Sequence, residues 1–325
     1  MDQWLESLVP WGTEVIAWVQ AHGSPALDWV ARVFTTLGYE EFYLLVLPLV
    51  YWCVNRQIGI GLGYLSMLSA WLNDTIKYVF SIPRPSDPRI VMKAPRLETS
   101  PSFPSGHAQN AVANWGYLAV RFRNRVLRAV AILAILGIGL SRIVLGVHFP
   151  QDVLAGWLIG MVLLAAYALL EPQVRGWFWG QRSVGQVTLA IGLPVLLTLV
   201  HPADANGLYP AEGAITPAAA LAGLGVGVIM ERAWVRFRVD GAWWKRIARY
   251  LFGIAIVAIL YAGPKLLVPS DLAYGVEVVL RIARYGLLGW AVAFLCPWLF
   301  VRLHLAGREV AAESAQGGEA ARPVG

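Results

Sequence analysis

An all-α, polytopic membrane fold is what this 325-residue sequence predicts, and three observations carry it. Only 14% of residues are charged and 58% are hydrophobic, with a mean hydropathy of +0.58, whereas soluble domains carry roughly 25% charged residues. Apolar runs long enough to approach the roughly 30 Å of a bilayer's hydrocarbon core recur along the chain. The 15 Trp suit the same class, because indoles favour the headgroup level.

The elements follow in order. Residues 1–24 open with Trp4, Leu8, Trp11, Val15 and Trp18 at helical spacing. That is an amphipathic helix which either lies in the interface or covers the helices beside it. Residues 25–38 form a short apolar segment, expected as the first span. Further spans are expected near 41–54, 57–80, 106–120, 127–147 and 151–171. Residues 25–172 are thus read as a six-helix core. After a Trp-rich basic loop, about four additional spans near 185–200, 213–231, 247–263 and 278–303 make a C-terminal bundle over 173–305. Gly223, Gly225 and Gly227 suggest close helix packing there. This bundle is a candidate lipid groove, partner surface or homo-oligomer interface. Glu212, Glu231 and Glu277 fall at helix ends and read as interfacial, and the small, polar 306–325 tail is expected to be disordered.

The net charge of +6 resides in short loops between apolar runs, which is how a topology signal looks, so no nucleic-acid partner is expected. Cys53 and Cys296 stand in apolar stretches and form neither a disulfide framework nor a zinc spacing. Asp2 and Glu6 replace the basic patch that opens a cleavable signal peptide, so none is expected. Arg121, Arg123, Arg125 and Arg128 mark one basic loop, Arg175 and Arg182 the next, and Arg232, Arg236, Arg238, Lys245, Arg246 and Arg249 a third. The intervening 201–212 loop holds no Lys or Arg. Basic loops are cytoplasmic, so residues 81–105 and the turn at 147–150 are expected at the periplasmic or extracellular face of the cell membrane. Arg84, Arg89, Lys93 and Arg96 break that pattern, and cations there suggest a role in holding an anion.

Three motifs concentrate the chemistry at helix edges. Lys77, near the end of the 57–80 span, either snorkels to the surface or joins a pocket with Asp74 to hold it. Pro83 and Pro85 stiffen the chain around Arg84, and a guanidinium held in place is a good phosphate clamp. In Pro104-Ser105-Gly106-His107, Ser105 is a natural N-cap and Gly106 allows close backbone approach by a ligand. Helix N-termini bind anions, and His107 in the first turn is placed to give a proton to a leaving oxygen. Arg142 and His148 end the 127–147 span, Pro150 suits the first helical position of the next, and Asp152 follows in its first turn. Asp152 is either a helix N-terminal acid or a carboxylate partner that orients His148.

The pattern Lys77-x6-Arg84-Pro85, Pro104-Ser105-Gly106-His107 and Ser141-Arg142-x5-His148-x3-Asp152 resembles the tripartite signature of the type 2 phosphatidic acid phosphatase superfamily, over roughly residues 25–171. The resemblance implies that His148 attacks phosphorus to form a phosphohistidine, that Asp152 orients it, and that His107 protonates the leaving alkoxide. It implies that Lys77, Arg84, Arg142, Ser105 and Gly106 bind the phosphoryl oxygens, with no metal and no cofactor. The expected activity is hydrolysis of a membrane lipid phosphate (polyprenyl diphosphate or monophosphate, phosphatidate or similar) from within the bilayer. Transfer of the phosphoryl group to another acceptor and non-catalytic lipid binding or transport are the alternatives, and a metal site built from His107, His148 and Asp152 is a further rival.

Overall fold

The computed structural model describes residues 2–204, 206–267 and 272–309, and among them every extended element is a helix, with no strand. The helices are α1 (Asp2–Ser7), α2 (Val9–Ala21), α3 (Pro25–Thr36), α4 (Glu40–Leu49, extended by a π-helical turn Val50–Val54), α5 (Arg56–Phe80), α6 (Gly106–Phe122), α7 (Arg125–Val144) and α8 (Pro150–Gly180). Then come α9 (Ser183–Val200), α10 (Glu212–Met230, with a π-helical turn Glu231–Val235), α11 (Trp243–Leu267), α12 (Tyr274–Trp290, with a π-helical turn Ala291–Leu295) and α13 (Cys296–Arg302). Polar caps start many of them: Ser24, Asn55, Ser105 and Asn124 each accept a hydrogen bond from a backbone amide of the first turn.

Among the described residues six helices are each long and apolar enough to cross a membrane, and α3 with α4 make a seventh candidate, bent by 52° at the break between them. This differs from the expected pair of separate spans at 25–38 and 41–54. The 12 residues of α3 reach only about 18 Å, short of the hydrocarbon thickness, so α3 cannot cross alone. It packs instead along the C-terminal half of α7, where a Cβ at Gly137 would lie 2.3 Å from the Phe34 ring.

Helices α5 and α6 are more polar, and the reason is a ladder of side-chain bonds between them. Ser66 donates to Asn114 (2.5 Å), Ser69 to Asn110 (2.7 Å) and Asn73 to Gln109 (3.0 Å). Buried polar groups are tolerated when paired, and this ladder sets the two helices in register just below Ser105 and His107.

The N-terminal helices lie against the end of the bundle that carries the three motifs. One face of α2 is buried: Ile16 is fully enclosed, and a Cβ at Gly12 would meet Gln151 at 2.8 Å and Phe149 at 2.9 Å. Its other face presents Trp11 and Trp18, with Trp4 of α1, to the surroundings. The helix therefore covers α7–α8 on one side and exposes an indole stripe on the other. At the opposite end Trp177, Trp234, Trp243 and Trp244 are exposed, which gives a second belt.

The C-terminal helices pack directly on the rest. A Cβ at Gly223 would lie 2.0 Å from the Gly286 carbonyl oxygen and one at Gly227 2.7 Å from Ala293, so α10 and α12 approach backbone to backbone, as the glycine spacing predicts. Trp52 and Tyr51 donate to the Val292 and Ala293 carbonyls and share a core with Phe237 and Phe300. Glu231 departs from its expected interfacial place. It is fully buried, pairs with Arg56 and accepts from the Phe237 amide, because α10 ends inside the bundle against the start of α5. The expected disorder of the tail fails for its first residues: Ala306 is buried and Arg308 bridges to Phe237. Residues 310–325 lie outside the described residues. Cys53 and Cys296 are buried free thiols.

Candidate active site

The three motifs converge at one end of α5–α8. Lys77, in the last turn of α5, is buried, and its Nζ donates to Ser100 Oγ (3.1 Å) and to the Pro101 carbonyl. Asp74 does not hold it, contrary to expectation. It turns to the other side of α5, with Oδ2 3.4 Å from His201 Nε2 and close against Gly213 of α10.

Arg84 sits at the centre. Its Nε donates to the Ser100 carbonyl (2.8 Å), and its Nη1 donates to the Val147 carbonyl (2.8 Å) and lies 3.3 Å from His148 Nε2. Arg142 is completely buried; its Nη1 donates to Thr35 Oγ1 (2.5 Å) and its Nη2 to Glu98. The other cations of the 81–105 loop do not join this centre. Arg89 pairs with Asp87 and Glu14, Lys93 with Asp28, and Arg96 with Glu41. Their sequence anomaly is thus explained by clasping α2, α3 and α4, and only Arg84 among them reaches the pocket.

His148 lies in the short connection between α7 and α8. Gly146 takes φ +70°, a left-handed conformation suited to glycine, and so turns the chain back towards the site. A guanidinium can only donate, so His148 Nε2, which faces Arg84, accepts and the ring proton sits on Nδ1. Nδ1 in turn points at Asp152 Oδ2 (3.4 Å), which also receives Ser102 Oγ (2.5 Å) and the Phe149 amide (2.9 Å). Asp152 therefore accepts at the N-terminus of α8 and also faces the imidazole. Burial, then the positive charges of Arg84, Lys77 and Arg142, push the His148 pKa well below the usual histidine range. The ring is neutral near pH 7, and the lone pair of Nε2 is directed at Arg84.

Ser105 caps α6, and its amide bonds to the Asp152 carbonyl (3.0 Å), which ties the second motif to the third. At Gly106 the neighbour is protein: a Cβ there would stand 2.7 Å from Asn73 Oδ1, so the α5–α6 contact itself demands glycine. His107 packs edge-on against Tyr39, with ring centroids 5.0 Å apart, and its buried Nε2 has no hydrogen-bond partner among the described residues. A Cβ on Gly38 would come within 2.4 Å of its Cδ2. Gly38 lies one turn beyond Thr35, the partner of Arg142, so the end of α3 backs both motif residues.

Several contributors escaped sequence reasoning. Glu98 links Arg84 (3.4 Å) to Arg142, and Ser100 and Ser102 join the cations and the His–Asp pair respectively. An acid and two hydroxyls inside a loop crowded with cations were the available signal. Thr35 and Gly38 carried none, since α3 reads only as an apolar segment. No group of three or more His, Cys, Asp or Glu among the described residues is arranged to hold a metal ion.

Fold and site together define an all-α membrane protein with a buried centre of three cations and two imidazoles. Residues 59–175 match the PAP2 superfamily, and residues 215–308 match the family described as PAP2 superfamily phosphatase, transmembrane extension. The chain belongs to the PAP2 superfamily. It is 30% identical over 198 residues to glucose-6-phosphatase 3 of Bos taurus, across 54% of this chain and 52% of that protein. It is 26% identical over 211 residues to a probable sphingosine-1-phosphate phosphatase of Dictyostelium discoideum, across 61% and 52%. The chain thus aligns with about half the length of these relatives. Among solved structures it is similar to a transmembrane PAP2-type phosphatidylglycerolphosphate phosphatase from Bacillus subtilis, with a TM-score of 0.45, 22% identity, and coverage of 52% of this chain and 88% of that one.

Proposed function

We propose that this protein is an integral membrane phosphatase that removes the terminal phosphoryl group of a membrane lipid phosphate through a phosphohistidine on His148. The observation that carries the reading is His148 held between Asp152 on Nδ1 and Arg84 beside Nε2. A passive anion site needs the cations but not an oriented, neutral imidazole.

In the proposed reaction the lone pair of His148 Nε2 attacks phosphorus, and the bond from phosphorus to the leaving oxygen breaks. His107, in its protonated form, supplies the proton that converts the leaving alkoxide to an alcohol. The neutral His107 then takes a proton from water as the water oxygen attacks phosphorus and the P–N bond breaks, which returns His148 with its lone pair. Lys77, Arg84 and Arg142 stabilise the phosphoryl oxygens throughout, with the Ser105 hydroxyl and the Gly106 amide beside them. Fixed donors aimed at developing charge commonly supply the largest catalytic term. The unpartnered Nε2 of His107 fits a group whose partner is the substrate.

The site belongs to the non-cytoplasmic face on this reading. Arg121–Arg128, Arg175–Arg182 and Arg232–Arg246 connect helices at the end of the bundle away from the motifs, and basic loops are retained inside. Residues 25–172 are the catalytic unit and 173–305 its C-terminal flank. A lipid can then leave its chains in the bilayer while its phosphate enters the pocket.

The test is release of inorganic phosphate in detergent from a panel of polyprenyl, glycerolipid and sphingoid phosphates with a soluble sugar phosphate as contrast, comparing wild type with His148→Ala. Turnover confined to the lipids and lost in the variant is expected. Equal turnover in the variant overturns the nucleophile; no turnover by wild type on any member overturns the enzyme reading. Parallel reactions with alcohol acceptors separate hydrolysis from transfer.

A further inference from the structure

Glu98 places a carboxylate on the two arginines assigned to the phosphate. One oxygen receives Arg142 Nη2 and the other lies 3.4 Å from Arg84 Nη2. The side chain is mostly buried, and although burial alone raises its pKa, Arg142 and Arg84 outweigh that and hold it below the usual carboxylate range. Arg142 has no second carboxylate among the described residues; its remaining bond goes to the neutral Thr35 hydroxyl. A planar, singly charged group bridging two guanidinium forks is the same kind of contact that a phosphate makes with them.

We propose that Glu98 is a specificity-determining residue, a built-in competitor that occupies the arginine clamp until a terminal phosphoryl group displaces it. The inference rests on the phosphatase reading above. Its force comes from the surroundings of the site. A bilayer consists largely of phosphodiester headgroups, each with one negative charge and two free oxygens. An open clamp of three cations at a membrane surface would fill with them. A carboxylate already seated on the arginines matches a phosphodiester in charge and in acceptor number, so the phosphodiester gains nothing by displacing it. A phosphomonoester or the end of a diphosphate carries a third oxygen and up to two negative charges, so it outcompetes the carboxylate. Specificity of this kind is a difference in affinities, obtained by raising the cost of the wrong ligand.

The experiment measures turnover of a dilute lipid phosphomonoester in mixed micelles, titrated with phosphatidylglycerol at constant detergent-to-lipid ratio, for wild type, Glu98→Gln and Glu98→Asp. Orthophosphate inhibition is measured beside it. In wild type the phosphodiester is expected not to compete. In Glu98→Gln, which keeps an acceptor but loses the charge, phosphatidylglycerol is expected to become a competitive inhibitor, and orthophosphate to inhibit about tenfold more tightly, the difference between a charge-assisted and a neutral hydrogen bond. Glu98→Asp, one methylene too short to reach both guanidinium groups, is expected to change in the same direction. Competitive inhibition of wild type by the phosphodiester overturns the proposal without need of any variant. So do active variants that resist phosphatidylglycerol as wild type does, and so does loss of turnover in both variants, which would place Glu98 beside the bound substrate rather than displaced by it. Absence of wild-type turnover on every phosphomonoester overturns the phosphatase reading instead.

Discussion

Replacing Asp152 by Asn isolates one term of the proposed mechanism. Three donors converge on a single oxygen: Ser102 Oγ at 2.5 Å, the Phe149 amide at 2.9 Å and His148 Nδ1 at 3.4 Å. An asparagine that places its carbonyl at this point keeps the α8 cap, the serine bond and the imidazole tautomer. Only the negative charge disappears. When His148 Nε2 bonds to phosphorus, the ring gains positive charge, and a full charge 3.4 Å from a carboxylate is stabilised by roughly 5 kcal/mol at an effective dielectric constant of about 20. With the charge half developed in the transition state, about 2.5 kcal/mol is lost, a fall of roughly 70-fold in the phosphorylation rate. Asp152→Ala removes the acceptor and the cap as well and is expected to fall by about 10³-fold or more. The assay is rapid-quench measurement of the phosphoenzyme burst in micelles, because steady-state turnover could report the hydrolysis step. Equal losses in the Asn and Ala variants would refute the convergence argument, and an Asn variant at the wild-type rate would falsify the role of the charge.

Other perturbations test separate features. His107→Asn should slow an alkyl phosphate about 10²-fold more than an aryl phosphate, whose leaving oxygen needs little protonation; equal slowing on both counts against the acid role. His148 is kept neutral by burial and by Arg84 and Lys77, and a protonated ring cannot attack, so activity is present above its pKa and lost as pH falls through it. The acid limb of kcat/KM assigned to it should therefore lie below about 6.5, the ordinary histidine value, and Lys77→Met should move that limb upward even as overall activity drops. Gly38→Ala drives a methyl to 2.4 Å from the His107 ring, so kcat should fall about tenfold with KM little changed, provided His107 does chemistry rather than binding. Glu231→Gln strands Arg56 against a neutral partner in a largely buried setting; about 3 kcal/mol should be lost, seen as lower thermal stability in detergent with activity per folded molecule intact.

The span pattern and the three motifs were legible because each rests on short-range chemistry. Apolar runs, N-caps such as Ser105 and the Pro150 start of α8 are local, and they fall where the residues predict. Apart from the short α3, the missed features are long-range. Asp74 lies one turn from Lys77 in the chain, yet α10 and His201 approach from the other side and take it. Arg89, Lys93 and Arg96 could be counted in the sequence, but their partners Glu14, Asp28 and Glu41 are on helices whose placement no local pattern reveals. Glu231 looked interfacial because it ends an apolar run, and only the docking of α10 on Arg56 makes it a buried ion-pair partner.

The C-terminal helices bear on the chemistry through α5. One face of α5 carries Ser66, Ser69 and Asn73 towards α6, which leaves its other flank to be enclosed. That flank meets the C-terminal helices along its length. Gly63 lies against Leu224, Tyr64 reaches Gly225, Trp71 donates to the Leu197 carbonyl (3.0 Å), and Asp74 faces His201 and Gly213. Lys77 is the next residue of consequence along the same helix, and a buried ammonium on a flexible stem is useful only if its helix end is held in place. The ladder to α6 fixes the rotation of α5 about its axis, and the α9–α10 contacts fix its lateral position. Helices whose sequence contains no motif residue thereby set where one of the three cations of the candidate site stands.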